Sequence, residues 1–412
     1  MRFGQSGTGR KVNSDLTNLI LEYGDKVIPF IPGETFISID DSVSNGDESV
    51  NLINSILGED KNHLQSFTTK MFSYLGGGHV NIVGSSTSAH ILTMKALCHD
   101  AFGGRGLKVG DEIITTANNV GVINAARMCG IIPVVVDVDL NTLLPSPVDI
   151  EAAIEEGKTK AIVLTSPNGN PTNGETIRGI ADEFSIMYIE DVGCGFGGRS
   201  HTVPIGDFAD IAIYSFSSNL LGDAGVIVSK SILFHKLVQR MMDTDAGSHL
   251  ALGLGSNKMM LAYLDAQMDK IDYYISMRKL NWERLHTGLS KYDKWLRFQT
   301  GSEFAQPSWS GFLITLKAPH DYVFSRTQLM EFLTDRKIGC RRMVGNVFQS
   351  SPYNANEYRT VGELMTSDYI HKNSFVVGCN ATMHEEHIMY IISAFDEFFE
   401  KIGQKLNEKP QD

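Results

Sequence analysis

The chain has 412 residues, 42% of them hydrophobic, and a formal net charge of −12. That length allows one large domain with a smaller one, or two of ordinary size. The acidic balance argues against a nucleic-acid or anionic-membrane surface, since both need clustered Lys and Arg. Five scattered cysteines, Cys98, Cys129, Cys194, Cys340 and Cys379, supply neither a disulfide framework nor a Cys-x-x-Cys metal site.

The opening residues, MRFGQSGTGRKVNSDLTNLILEYGDKV, have no apolar core long enough for a signal peptide, and no later run reaches the ~18 residues of a membrane span. A soluble, cytoplasmic protein is the expectation. Residues 1–60 read as a polar arm and a first helix. From about Phe67, β-branched runs alternate with helical patterns: VNIVG (80–84), DEIITTA (111–117), IIPVVVDVD (131–139), KAIVLTS (160–166), IMYIED (186–191) and DIAIYSF (210–216) predict strands buried on both faces. Between them, SAHILTMKALCHDAF, VINAARMCG, SPVDIEAAIEEG and TIRGIADEFS predict crossover helices. The order specifies an α/β domain with a mainly parallel sheet over 61–292. Beyond residue 293 the texture changes to WSGFLITLK, IGCRRMV and SFVVGCN between helices, which predicts a small α+β C-terminal domain over 293–412.

In a parallel α/β sheet, ligands sit at the carboxyl ends of the strands. GSSTSAH (84–90) follows a strand and opens a helix; its hydroxyl residues either cap the helix or cradle a phosphate. In IEDVGCGFGG, Glu190 and Asp191 end a strand, where a buried carboxylate needs a cationic partner such as a protonated ring nitrogen or an internal Arg. Asn168 and Asn170 in TSPNGNPTNGE either donate to a ligand oxygen or form Asx-turns. FGQSGTGR and AFGGRG lack the strand-to-helix setting of a dinucleotide fingerprint. His90, His99, His201 and His249 show no metal-ligand spacing, so no metal is expected.

Taken in order, GSSTSAH, DEIITTAN, GIIPVVVDVD, YIEDVG and YSFSSNLLGDAG resemble the DegT/DnrJ/EryC1/StrS family of fold-type-I pyridoxal phosphate (PLP) enzymes, sugar aminotransferases and dehydratases. The likeness runs from about Ile28 to Gly403. SWSGFLITLK (308–317), GCRRMVGN (339–346) and YRTVGELMTSDYI (358–370) are similar to the CDP-4-keto-6-deoxyglucose 3-dehydratases within it. The resemblance implies that Asp191 pairs with the pyridinium nitrogen, that Ser86, Thr87 and Ser215 cradle the phosphate, and that Asn170 approaches the ring hydroxyl. It further implies a homodimer with active sites at the subunit interface, and a small-molecule substrate for which Arg341 and Arg342 are candidate phosphate or carboxylate ligands.

The departures from the family pattern matter as much. Aminotransferases of the family place a Schiff-base lysine between the Ser-Phe pair and the glycine turn of YSFSSNLLGDAG, and the 3-dehydratases place a histidine there; here the loop is shorter and Ser218 or Asn219 takes the position. Neither residue forms an internal aldimine, and an unactivated serine is a poor base. The aromatic ring that stacks on the pyridine gives way to Asn119 or Val120, and the phosphate-binding Asn of the partner subunit matches Asn257 only through a gap. The cysteine set of an iron–sulfur cluster is missing. Lys230 and Lys258 are the alternative lysines. Three readings follow: an enzyme using PLP or its amino form PMP without a covalent lysine, an enzyme that has left PLP behind, or a non-catalytic partner of an active paralogue.

Overall fold

The structure, a computed structural model, describes residues 29–40, 46–57, 62–193, 195–216, 224–243, 250–317, 323–350, 353–354 and 356–408. Ser218, Asn219 and Cys194 lie outside the described residues. Twelve helices are described: α1 (Gly46–Leu57), α2 (His63–Leu75), α3 (Ser86–Leu97), α4 (Val120–Met128), α5 (Pro147–Ala153), α6 (Gly174–Glu183), α7 (Ile232–Met242), α8 (Lys258–Met268), α9 (Ile271–Leu289), α10 (Arg326–Asp335), α11 (Met365–Asn373) and α12 (Glu385–Glu408). The strands are β1 (His79–Val83), β2 (Glu112–Thr116), β3 (Ile132–Val136), β4 (Thr159–Thr165), β5 (Met187–Gly193), β6 (Arg199–Ser200), β7 (Val203–Pro204), β8 (Ile211–Ser215), β9 (Gly225–Ser229), β10 (Leu296–Phe298), β11 (Ala305–Gln306), β12 (Phe312–Leu316), β13 (Cys340–Arg342), β14 (Arg359–Thr360) and β15 (Ser374–Val377).

The six β-branched runs each form a strand of one sheet, in the order β1-β9-β8-β5-β4-β2-β3-β14. Its pairings from β8 to β14 are parallel, while β9 runs antiparallel to both β8 and β1. Every residue of β2 and β8 is buried, because helices cover both faces of the sheet. The crossover helices start where the sequence supplies caps: Ser85 opens α3, Ser146 opens α5 with Pro147 behind it, and Asn173 opens α6, each side chain accepting a first-turn N–H. Consequently the chain leaves β1, β2, β4, β5 and β8 at one edge of the sheet. That edge carries Ser86, Thr87, Asp191 and Ser215.

The C-terminal part folds as an antiparallel sheet, β10-β12-β15-β13, packed against α9, α10 and α12 around Phe312, Phe375, Leu329 and Phe395. Its chain also returns to the large sheet: Arg359 and Thr360 add β14 beside β3, and the Arg359 guanidinium grips buried Glu112 at 2.7 and 3.1 Å. Among the described residues, no helix is long and apolar enough to cross a membrane.

Arg336, at the end of α10, donates to Glu397 of α12 from Nε at 2.9 Å and from a terminal nitrogen at 2.5 Å, and Lys401 adds a third donor at 2.8 Å. These cations, Arg336 foremost, hold the Glu397 carboxyl down at about 2. A depressed carboxyl stabilises the fold above its ordinary range and loses that contribution as pH falls from 4.5 through about 2. Glu397→Gln is therefore expected to lower the melting temperature near neutrality, by the equivalent of about 0.2–1 kcal/mol for so exposed a group. The gap to wild type should close in acid; one that stays constant with pH contradicts the assignment.

Candidate functional site

Asp191 lies near the carboxyl end of β5, 7% exposed, with Oδ1 accepting the Gly193 N–H at 3.1 Å. Its neighbour Glu190 projects to the opposite face, as strand alternation requires. There Glu190 accepts from Thr172 at 2.6 Å, from the Gly206 N–H at 2.8 Å and from Ser166 at 3.3 Å. Burial pushes the Glu190 carboxyl up, and these donors oppose the shift. The two carboxylates thus divide their work: Glu190 ties loops together inside the fold, and Asp191 remains at the ligand edge.

Three segments converge beside Asp191. Ser215 ends β8 opposite Gly225, the first residue of β9. A Cβ on Gly225 would lie 2.3 Å from the Ser85 carbonyl oxygen, so the strand turn and the start of α3 are in direct backbone contact. Ser85 caps α3 by accepting the Ser88 N–H at 3.0 Å. The earlier first-turn N–H groups, those of Ser86 and Thr87, have no acceptor within the helix. With the positive end of the helix dipole behind them, such groups are of the kind that receive an anion, and Ser215 is adjacent. Ser86, Thr87, Ser215 and Asp191 are therefore brought together. A buried carboxylate at one end and a helix N-terminus at the other fit a pyridine ring bearing a phosphate.

The remaining candidates are placed differently. Asn119 is buried before α4, its amide nitrogen without a hydrogen-bond partner, in the loop to which the small domain docks through Val347 N–H to Ala117 O at 3.0 Å. Asn170 is fully buried; its amide nitrogen donates to Thr142 O at 2.9 Å and Thr300 O at 3.3 Å, while its side-chain oxygen accepts no hydrogen bond among the described residues. Asn168 donates to Gly311 O at 2.8 Å and Gln299 at 3.1 Å, and its side-chain oxygen accepts from Ser310 at 3.0 Å. This Asn pair fastens the loop after β4 to the segments at 299–300 and Gly311. Asn257 is exposed and uses its side-chain oxygen to cap α8, accepting from Met260 N–H at 2.9 Å.

Arg341 and Arg342 do not act as a pair. They alternate along the edge strand β13: Arg341 binds Asp40 at 2.5 Å, whereas Arg342 faces Arg326 and His371. Burial and then the Arg342 charge depress Arg326; burial, then Arg326, with a smaller part from Arg342, depress His371. Lys230 is excluded as a replacement for the family's lysine. It follows β9, whose end pairs with the start of β8, and its ammonium donates to Asp207 O at 2.6 Å on the far edge of the sheet. Lys258 is the exposed first residue of α8.

One residue of the site was not singled out by spacing. His90 of α3 is buried with Nε2 3.1 Å from Asp191 Oδ2. In the sequence it stands among scattered histidines without a metal pattern. The available signal was its position four residues after Ser86, on the helix face that carries the cradle.

Residues 47–396 match the DegT/DnrJ/EryC1/StrS aminotransferase family. The chain is 29% identical to the lipopolysaccharide biosynthesis protein RfbH of Salmonella typhimurium, covering 95% of this chain and 99% of that one. It is likewise 29% identical to the dTDP-4-dehydro-2,6-dideoxy-D-glucose 3-dehydratase of Saccharopolyspora spinosa, over 90% of this chain and 88% of the relative. Among solved structures, the E. coli GDP-4-keto-6-deoxy-D-mannose-3-dehydratase with bound hydrated PLP aligns with a TM-score of 0.77 and 21% identity over 87% of this chain and 99% of its own. The fold-type-I architecture anticipated from the sequence is the one found.

Contact between Gly225 and Ser85 is backbone to backbone, so neither partner can yield by rotating a side chain. Gly225→Ala is expected to destabilise the protein by about 1–3 kcal/mol, the usual cost of overpacking. Urea denaturation measures it; an unchanged midpoint and slope would show that the turn has room.

Proposed function

Because the chain belongs to the DegT/DnrJ/EryC1/StrS aminotransferase family, we propose that it is a PMP- or PLP-using enzyme of the sugar 3-dehydratase type, acting on a nucleotide-linked keto sugar without a lysine Schiff base. The convergence of Asp191, the α3 N-terminus and Ser215 at one sheet edge carries this reading. Two relatives whose printed names specify 3-dehydratases of nucleotide-linked keto-deoxy sugars support the substrate class. Ordinary transamination is disfavoured, since YSFSSNLLGDAG holds no lysine and Lys230 is tied to the opposite edge.

When bound, the cofactor supplies an electron sink that stabilises negative charge next to the substrate amine. Asp191 keeps a proton on the ring nitrogen by facing it with a buried negative charge. The first-turn N–H groups of α3, with the hydroxyls of Ser86, Thr87 and Ser215, hold the phosphate. Binding then rests on these contacts alone, because no covalent tether adds to them. Ser218 and Asn219 stand in the stretch from which the family's lysine or histidine moves a proton, and a serine hydroxyl needs a neighbour to activate it before it can do so. Arg342, not engaged by an acidic side chain among the described residues, is the better of the two arginines for a substrate phosphate or carboxylate, since Arg341 is paired with Asp40. The working unit in this reading is a cytoplasmic homodimer.

Absorbance titration of the purified protein with PMP and with PLP tests the proposal, with borohydride reduction as the control. Saturable PMP binding and no reducible protein adduct with PLP are the expected results. Ser218→Ala should leave PMP affinity within about threefold of wild type, a fraction of a kcal/mol, because the residue is assigned to proton handling. Binding of neither cofactor would overturn the reading in favour of cofactor-free chemistry or a non-catalytic partner.

A further inference from the structure

His90 stands against Asp191 in a way that packing alone does not require. Its ring is 6% exposed, its Nε2 lies 3.1 Å from Asp191 Oδ2, and neither ring nitrogen makes a well-aligned hydrogen bond. An imidazole with an unsatisfied buried nitrogen costs about 1–3 kcal/mol relative to a satisfied one. A Leu or Met would fill the same space without that penalty. The backbone also makes room for the ring: a Cβ on Gly121, in the first turn of α4, would come within 2.5 Å of His90 Nδ1 and 2.6 Å of Cε1. The chain therefore gives up a side chain on α4 to keep an imidazole on α3 beside a buried carboxylate.

We propose that His90 is a positioning residue for Asp191, holding its carboxylate in place for the nitrogen of a bound pyridine ring. The inference rests on the PMP/PLP reading above. Asp191 is approached on both oxygens: Oδ1 accepts the Gly193 N–H, and His90 Nε2 lies 3.1 Å from Oδ2. Each carboxylate oxygen accepts more than one donor, so a site remains for a ring N–H. A single backbone donor would leave the carboxylate free to rotate about its Cβ–Cγ bond; a second contact from another helix fixes the plane. Because α3 also supplies the phosphate cradle, His90 sets the carboxylate relative to the cradle through one rigid element. His90 acts through Asp191 and not on the substrate: the ring nitrogen and the carbon that bears the reacting substituent lie at opposite ends of a pyridine, so a residue behind Asp191 is remote from the chemistry.

The test compares full-length wild type, His90→Leu and His90→Gln, titrated with PMP. Both the dissociation constant and the absorption band of bound PMP are read, since the band of a 3-hydroxypyridine depends on protonation of its nitrogen. His90→Leu is expected to weaken PMP binding about tenfold or more, of order 1.4 kcal/mol, and to shift the band at fixed pH. His90→Gln, whose amide nitrogen reaches roughly as far as Nε2, should recover most of both. A folded His90→Leu protein with wild-type affinity and band overturns the inference while leaving the cofactor reading intact. Wild type that binds neither PMP nor PLP overturns both. Should His90→Leu fail to fold, 15N-histidine spectra of wild type decide it, with His90 assigned through His90→Gln: a His90 ring shift on PMP saturation supports the role, and no shift removes it.

Discussion

A single buried carboxylate organises the ligand edge of this protein. Ionised Asp191 would cost several kcal/mol in an apolar interior if left without partners. The fold supplies two, the Gly193 N–H and the His90 imidazole, and leaves lone-pair capacity on each oxygen. Much of the local architecture follows from that arrangement. The carboxylate must sit at a strand end to face a ligand, Glu190 must turn to the other side and find its own donors, and the first turn of α4 must carry a glycine, Gly121, over the histidine ring.

The phosphate cradle proposed for the start of α3 is built of fixed groups rather than mobile ones. The start of α3 is held from below by its own cap, Ser85 to Ser88, and from the side by the backbone at Gly225. A cradle anchored this way has little to reorganise on binding, which matters under the proposed reading, in which no covalent tether holds the cofactor. The C-terminal segments are fastened by polar contacts from Asn168 to Gly311 O and from Asn170 to Thr300 O, and they return β14 to the large sheet.

Much of this was legible in the sequence because it depends on short-range pattern. The six buried strand runs, the capped helix starts and the position of Asp191 at a strand end follow from periodicity and from Ser, Asn and Pro at their characteristic places. What pattern could not specify was partnership across the chain. Asn170 reads as a donor beside a ligand, yet Thr142 and Thr300 take its donors, and only tertiary packing brings those carbonyls to it. Arg341 and Arg342 read as one basic pair, but strand alternation sends them to different neighbours. His90 closes the GSSTSAH stretch but carries no role in that motif; its meaning comes from a carboxylate 101 positions later in the chain.

The account turns on Asp191 meeting a protonated ring nitrogen. Nuclear magnetic resonance of PMP labelled with 15N in the ring, bound to wild type and to Asp191→Asn, measures that contact at the atom concerned. A protonated-pyridine shift in wild type that moves toward the neutral value in Asp191→Asn is the predicted result. A neutral shift in wild type, or the same shift in both proteins, would contradict it.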